Sequence, residues 1–397
     1  MDSVLTKKLE KNIGKYSWFK VFSKRVYLPL IALQLVSEGG VTVEQLALIA
    51  VITAITQAAL QLPTGYIADA YGNRIAIITG CAIAAISPLF YIFKPDFAGG
   101  LLAALFFSTG ISFLSGAIET FMHDTLVALG KEKEYSKVMG RSQSYGLIGN
   151  VVLLIAVPAT YAINKNIPFY LGFASLLIML FLAISFTYPP RETFKKKRNP
   201  LQATRSIVNP QNITLFIFAG FLSGVSDKTA TYRELLFKDI GVAVAIFGLL
   251  LAIGSVFGAI LGRYIHHLDK LKPETFYFLD LSIMSGAILL VGISHSPILA
   301  VLGFTIFVGY TRVRMIIFQS NLLKSVQHSY KATLLSTLSF FSIIGEIAAI
   351  SILARLIGFK GYLTGYVLYA FSVFGIASVL WVIMLLTNKK TLSHQLS

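Results

Sequence analysis

The sequence predicts an all-α, polytopic membrane protein with twelve transmembrane helices. Of its 397 residues, 55% are hydrophobic and 13% are charged, whereas soluble domains carry ~25% charged residues. Apolar runs of ~20 residues, long enough to cross a hydrocarbon core of ~30 Å as a helix, recur along the chain. They lack the polar–apolar alternation of barrel strands. Helices are therefore the structure that pairs every backbone polar group within lipid.

The predicted spans fall into two groups of six. We expect an N-terminal six-helix bundle over 17–188 and a C-terminal six-helix bundle over 211–387. The linker between them, 189–210, is the longest hydrophilic stretch and carries the basic run Lys195–Arg198. This is the layout of two parallel repeats around an axis along the membrane normal. The spans are predicted at 17–37, 43–67, 74–93, 99–127, 139–163, 167–188, 211–236, 242–264, 274–294, 297–322, 332–356 and 362–387.

The distribution of basic residues predicts that both termini are cytoplasmic. We count the Lys and Arg residues up to Arg25 with the N-terminal leader (1–16). On this count, 25 of the 34 Lys and Arg residues lie on the side of the membrane that holds the linker and the C-terminal tail (388–397), and 6 lie in the loops on the opposite side. Cytoplasmic loops carry such an excess. The basic residues lie between apolar runs, so the net charge of +16 indicates contact with membrane lipid and not with nucleic acid. We expect a multi-pass protein of a bacterial cytoplasmic (inner) membrane.

Other functional motifs are missing from the sequence. The single cysteine, Cys81, excludes a disulfide framework and a cysteine metal site, and we expect it to be a small buried apolar residue. The sequence contains no Gly-x-x-x-x-Gly-Lys-Ser/Thr loop, which argues against ATP hydrolysis, and no His-Glu-x-x-His motif. We therefore expect neither a cofactor nor a metal.

The loop after the second predicted span carries a recognisable motif. From Gly65 to Arg74 the chain reads GYIADAYGNR. It resembles the signature loop of the major facilitator superfamily, Gly-x-x-x-Asp-(basic)-x-Gly-x-(basic)-(basic), which joins the second and third spans. Ala70 and Ile75 replace two of the usual basic residues, and the corresponding stretch of the second half, Gly258–Arg263, lacks the acid. The resemblance implies a transporter of two six-helix halves.

Three residues of this loop have expected roles. Gly65 is expected to let a neighbouring helix approach closely, and Gly72 to permit a tight turn. The resemblance implies that Asp69 latches the two halves in an outward-open state, because span eleven begins nearby with the partial positive charge of a helix N-terminus. The alternative is an ordinary turn without a gating role.

A second stretch extends the resemblance. The acid Asp124 near the inner end of span four and the Gly-Arg opening of span five, with Arg141, are similar to positions in many bacterial members of the superfamily. Together with Arg74 they are expected to form an ionic network that breaks and re-forms as the cytoplasmic side opens. The alternative is that these are exposed charges at helix ends.

Ionisable residues at membrane depth are costly and therefore mark functional sites. The sequence offers six such candidates for a substrate or proton site: Glu119 in span four, Asp227 and Lys228 in span seven, Arg312 and Arg314 in span ten, and Glu346 in span eleven. The resemblance implies that spans one, four, seven and ten line a central cavity, and five of the six lie on these spans.

The roles of these charges leave several alternatives open. Glu119, Asp227 and Glu346 are candidates for a carboxylate that takes up a proton. Each can instead be permanently paired, Asp227 with Arg312 and Glu346 with Arg141 or Arg314. Arg312, the deeper arginine, is expected to face the cavity and Arg314 to snorkel toward the inner interface. Arg312 and Lys228 can hold a substrate carboxylate or phosphate, or simply balance the acids.

These observations predict a proton-driven secondary active transporter that moves a small organic solute by alternating access. Export of a drug-like compound or metabolite is favoured because the superfamily has many exporters. Import of an organic anion, such as a carboxylate or siderophore, is the alternative, since the cavity holds Arg and Lys. A third reading is an intramembrane enzyme that uses His123 and the acids. The expected partners are the substrate, protons and membrane lipid, and the protein is expected to be monomeric.

The predicted topology can be tested by labelling a cysteine placed at Lys197 in the linker. A membrane-impermeant thiol reagent added to intact cells should leave this cysteine unmodified, because the linker is expected in the cytoplasm. Labelling from outside would overturn the span assignment.

Overall fold

A computed structural model describes residues 3–189, 210–263, 273–294, 296–324 and 331–395. Within these ranges the backbone forms α-helices joined by short 3-10 turns, and no β-strand occurs. The α-helices are α1 (Ser3–Phe22), α2 (Ile31–Gly39), α3 (Val43–Tyr71), α4 (Asn73–Phe93), α5 (Phe97–Leu114), α6 (Ala117–Ala128), α7 (Tyr135–Ala159), α8 (Ile167–Ser185), α9 (Pro210–Lys228), α10 (Arg233–Asp239), α11 (Phe247–Arg263), α12 (Pro273–Ile293), α13 (Pro297–Lys324), α14 (Lys331–Lys360) and α15 (Tyr362–Gln395).

Helix length and apolarity agree with a polytopic membrane protein. In the described ranges, nine helical stretches are long and apolar enough to cross a membrane. Three shorter apolar stretches, Leu28–Gly39, Val244–Gly258 and Pro297–Thr311, occupy the places of the first, eighth and tenth predicted spans. The order of these stretches along the chain matches the twelve predicted spans, and the predicted all-α fold class is confirmed.

Three of the predicted spans are interrupted. The first is divided between α1, which already begins at Ser3 within the predicted leader, and α2. The fourth is divided between α5 and α6 at Gly116, whose φ of 78° suits glycine far better than any L side chain. The seventh is divided at Lys228, where α9 gives way to a 3-10 turn. The sequence predicts continuous helices here because hydropathy does not report a local change of backbone direction.

The chain divides into two compact units. Unit 1 comprises Met1–Lys195 and Val244–Leu249, and unit 2 comprises Lys196–Ala243 and Leu250–Ser397. Each unit has its own tightly packed interior, built from spans that lie far apart along the chain.

Unit 1 is built around a cluster of fully buried apolar side chains. Tyr16 and Phe19 of α1 pack in it with Met179 of α8 and with Cys81 of α4, so Cys81 is a buried apolar residue as predicted. The buried side-chain amide of Asn12 accepts a hydrogen bond from the backbone N–H of Thr187 at 3.1 Å and donates one to its carbonyl at 2.7 Å. These two hydrogen bonds satisfy backbone groups just beyond the end of α8 and fix the lysine-rich start of α1 to the core.

Unit 2 contains an unusually close helix crossing between α9 and α14. A Cβ atom built on Gly224 would lie 2.0 Å from the backbone carbonyl carbon of Gly345, and one built on Gly345 would lie 2.1 Å from the carbonyl oxygen of Gly220. Side chains of any size are excluded at these positions. Small residues bring helices together in this way because their backbones can touch.

A buried ion pair joins three helices of unit 2. Arg314 of α13 and Asp280 of α12 are both wholly buried, and the guanidinium binds the carboxylate with two parallel contacts, Nε–Oδ1 at 2.6 Å and Nη2–Oδ2 at 2.7 Å. Tyr310 donates a hydrogen bond to the same carboxylate at 2.9 Å. Arg314 also donates to Ser226 of α9 at 3.0 Å. The expectation that Arg314 snorkels to the interface is therefore wrong, because its partner lies inside the protein.

Removing one partner of this pair should destabilise the protein severely. We expect Asp280→Asn to lower the free energy of unfolding by about 3–5 kcal/mol, since it leaves a buried guanidinium without its counter-charge. The measurement is thermal unfolding of the purified protein in detergent. The double change Asp280→Leu with Arg314→Met should recover most of the lost stability, because it removes both buried charges.

Ser282→Ala is the matched control for this prediction. Ser282 lies on the same helix, and its hydroxyl donates to a carbonyl of that helix. The Ser282→Ala variant should unfold at the same temperature as the wild-type protein. A single variant Asp280→Asn as stable as Ser282→Ala would show that the pair does not hold the helices together.

Candidate functional site

The strongest candidate site lies in unit 2 where α9 ends. Lys228, the last residue of α9, forms an ion pair with Glu346 of α14, with 2.7 Å between Nζ and Oε2. Both side chains are about four-fifths buried, at 24% and 20% exposure. The touching glycines Gly224 and Gly345 stand one helical turn or less from these charges, so the close crossing sets the distance between the two helices at the pair.

Asp227 stands beside this pair and is exposed. Among the described residues no cation lies within ion-pair distance of its carboxylate. It is nevertheless close enough to interact electrostatically with Glu346, Lys228 and Arg314. Arg314 also donates to Ser226, the residue that precedes Asp227. Within the described part of the chain, the end of α9 therefore gathers five charges: four form two ion pairs, and the Asp227 carboxylate has no ion-pair partner.

The ion pairs in the structure differ from those predicted from the sequence. Glu346 is paired with Lys228, and Arg314 is held by Asp280, so Glu346 and Arg314 do not pair with each other. Asp280 is missing from the site residues predicted from the sequence, although an acid inside the predicted span 274–294, between Leu279 and Leu281, is a visible signal. The backbone of Arg312 belongs to α13, but its side chain lies outside the part of the chain that the structure describes, as does the pairing proposed for it with Asp227.

A second polar site lies in unit 1. Glu119 occupies the first turn of α6, directly after the break at Gly116, where the partial positive charge of the helix N-terminus favours an acid. Lys20 of α1 donates to its carboxylate at 3.0 Å, and the same ammonium lies 5.2 Å from the centre of the Tyr16 ring. The sequence count assigns Lys20 to the cytoplasmic leader, whereas the structure places it on the helix that packs against α6.

The turn between α3 and α4 has the geometry expected of Gly72. Its φ is 96° and its ψ is 154°, values that an L residue rarely adopts, so the predicted tight turn is confirmed. Gly65 is different, because a Cβ atom built on it would meet nothing within 4 Å. The close helix approach expected there is not found. The backbone of Asp69 belongs to α3, but its side chain is outside the described part, and its latch role stays a prediction.

The three remaining charges of the predicted gate do not form a network with one another. Arg74 lies over the ring of Tyr188, 5.9 Å from its centre. Arg141 donates two hydrogen bonds, at 3.3 and 3.1 Å, to the hydroxyl of Tyr145 one turn along its own helix. Both guanidinium groups therefore contact aromatic rings, which attract cations.

Asp124, the third of these charges, lies beside a histidine of its own helix. Its carboxylate lies 3.6 Å from Nδ1 of the neighbouring His123. A nearby ion pair joins Lys131 to Glu10 of α1 at 2.9 Å. The hydrogen bond and charge of Glu10 raise the pKa of the Lys131 ammonium above its ordinary value. These contacts are exposed, so each contributes little to stability.

The chemistry available at these sites is ionic. Within the described ranges, no group of three His, Cys, Asp or Glu side chains is placed to hold a metal ion. Paired charges and one open carboxylate can bind a polar solute or a proton.

Comparisons with known proteins agree with this arrangement. The sequence profile of the Major Facilitator Superfamily matches residues 17–350. The uncharacterized MFS-type transporter YxaM of Bacillus subtilis (strain 168) is 23% identical over 345 residues, which cover 84% of this chain and 85% of that protein. These matches extend over both units.

Solved structures of transporters share the fold. The nucleoside transporter NupG superposes with a TM-score of 0.78 at 14% identity and covers 96% of this chain and 99% of its own. A bacterial homologue of the lysosomal transporter Spinster, in an inward-facing and occupied conformation, superposes with a TM-score of 0.71 at 16% identity, covering 96% of both chains. The proteins named here are transporters and not enzymes. Because the family profile spans most of the sequence, the chain belongs to the major facilitator superfamily of transporters.

Proposed function

We propose that this transporter moves a small organic solute by proton-coupled alternating access, and that Asp227 carries the proton. The observation behind the proposal is the exposed carboxylate of Asp227 at the end of a broken helix, beside the Lys228–Glu346 ion pair. Discontinuous helices of transporters place ion and substrate sites in this way, because the break frees backbone groups and exposes side chains at depth.

Protonation of Asp227 would change the charge of the whole site. With Asp227 ionised, the charges of the two ion pairs cancel and the described groups of the site carry one net negative charge. With Asp227 protonated, the described groups become neutral. A neutral site is cheaper to close off from water than a charged one. We therefore expect the transporter to change conformation when Asp227 is protonated and not when it is ionised.

The same arrangement bears on the substrate. Lys228 and Arg314 are already paired with carboxylates, which weakens the case for import of an organic anion. An open carboxylate favours a neutral or cationic solute instead. Nucleosides, which NupG is named for, are neutral and polar and belong among the first solutes to test, together with organic cations.

Direction, location and coupling ion stay predictions from the sequence. We retain export across a bacterial cytoplasmic membrane, with both termini inside and a monomeric protein. The latch proposed for Asp69 belongs to the same scheme, in which unit 1 and unit 2 alternate between outward-open and inward-open states.

Asp227→Asn is the direct test of the proton carrier. The protein is reconstituted in liposomes with an imposed pH gradient, and solute movement is measured for nucleosides, organic cations and carboxylates. For the solute that wild type moves uphill, Asp227→Asn should reduce gradient-driven transport to the level of empty liposomes. Exchange of labelled for unlabelled solute should persist, because exchange needs no net proton movement.

Asp239→Asn is the matched control, since Asp239 is an exposed acid at the end of α10 in the same unit. It should transport like wild type. Wild-type gradient-driven transport in Asp227→Asn, Glu119→Gln and Glu346→Gln alike would contradict proton coupling through these carboxylates and point to sodium coupling or uniport.

A further inference from the structure

A groove runs between α1 and α7 within unit 1. Its volume is about 690 Å³, within the range of ligand-binding clefts. The two helices run in the same direction, because Ser17 contacts Ser142 at 3.0 Å and, further along both helices, Gly146 packs against Lys20 and Gly149 against Val21. The walls of the groove are thus formed by α1 and by α7, which lies within a stretch long and apolar enough to cross a membrane.

The groove opens away from the core of unit 1. Trp18 on α1 is 60% exposed and Ile148 on α7 is 64% exposed, and both line the groove. On the opposite side of α1, Tyr16 and Phe19 are buried in the core. Lys20, which reaches Glu119, is not among the lining residues. The groove is therefore separate from the polar site of unit 1.

One end of the groove is basic and the other is apolar. Lys137 and Arg141 line it near the start of α7, and both are exposed. Glu134 also lines this end, so the three charges sum to one positive charge. Further along α7 the lining includes Ile148, with Val21 on α1 opposite. The groove is therefore amphipathic along the axis of α7.

The length of the groove fits one leaflet of a bilayer. Eleven residues separate Lys137 from Ile148, which corresponds to about 16 Å along a helix. Half of a hydrocarbon core measures about 15 Å. A molecule with its phosphate at the basic end would therefore place its acyl chain beside Trp18 and Ile148.

We propose that the α1–α7 groove binds one anionic phospholipid, with the phosphate between Lys137 and Arg141 and an acyl chain against Trp18, Val21 and Ile148. The net positive charge of the basic end favours an anionic headgroup over a zwitterionic one. A soluble phosphate would leave the exposed apolar wall uncovered, and an apolar ligand alone would leave the two cations unused.

The two tryptophans of the chain, Trp18 and Trp381, permit a direct test. In a Trp381→Phe variant, Trp18 is the one remaining tryptophan. The purified protein is placed in phosphatidylcholine vesicles that contain a small, equal fraction of either phosphatidylglycerol or phosphatidylcholine brominated on the acyl chain. Bromine quenches tryptophan on contact. Brominated phosphatidylglycerol should quench Trp18 several-fold more than brominated phosphatidylcholine.

Charge variants test whether the groove is responsible. The double change Lys137→Gln with Arg141→Gln should bring the two lipids to equal quenching, whereas Lys137→Arg should keep the preference because it keeps the charge. Lys133→Gln is the matched control, since Lys133 is exposed in the preceding turn and does not line the groove. It should keep the full preference. Thermal unfolding checks that each variant is folded.

Three outcomes would overturn the proposal. Equal quenching by both brominated lipids in the parent protein would mean that the groove does not select anionic lipid. An equal loss of preference in Lys133→Gln would mean that only the general surface charge attracts the lipid. Quenching by neither lipid would mean that protein, such as a second copy of the chain, covers Trp18.

Discussion

An ionised side chain within a membrane must be paired inside the protein or face a cavity that holds water. This requirement accounts for the arrangement of charges in both units. Asp280 and Arg314 are fully buried and therefore bind each other through two contacts. Lys20 with Glu119 and Lys228 with Glu346 are partly exposed, and each pair has one strong contact. In these three pairs the number of contacts follows the degree of burial, and Asp227, which is exposed, has no ion-pair partner among the described residues.

The backbone places these charges where helices stop. Glu119 follows the break at Gly116, and Lys228 ends α9. A helix end offers unpaired backbone groups and a partial charge, which an uninterrupted span does not. The close crossing of α9 and α14 adds rigidity at the second of these breaks. Broken helices and a fixed spacing of charges therefore occur side by side at the end of α9.

The fold could be predicted from the sequence because hydropathy and basic-residue counts are local properties that each span carries by itself. The pairing of charges could not be predicted, because Arg314 binds an acid on another helix, and no pattern within span ten indicates Asp280. Lys20 was assigned to the cytoplasm for a similar reason, since its neighbours in the chain are basic. The breaks depend on single residues such as Gly116, whose unusual φ leaves the apolar run unchanged.

The contact between Gly224 and Gly345 also restricts the path of water. A buried water molecule needs a cavity of about 10–15 Å³ and polar partners, and two backbones that touch leave no such space. The crossing at Gly224 and Gly345 is therefore closed to water, whereas Asp227 at the end of α9 is exposed. The glycine crossing thus keeps water from passing between α9 and α14 next to the Lys228–Glu346 pair.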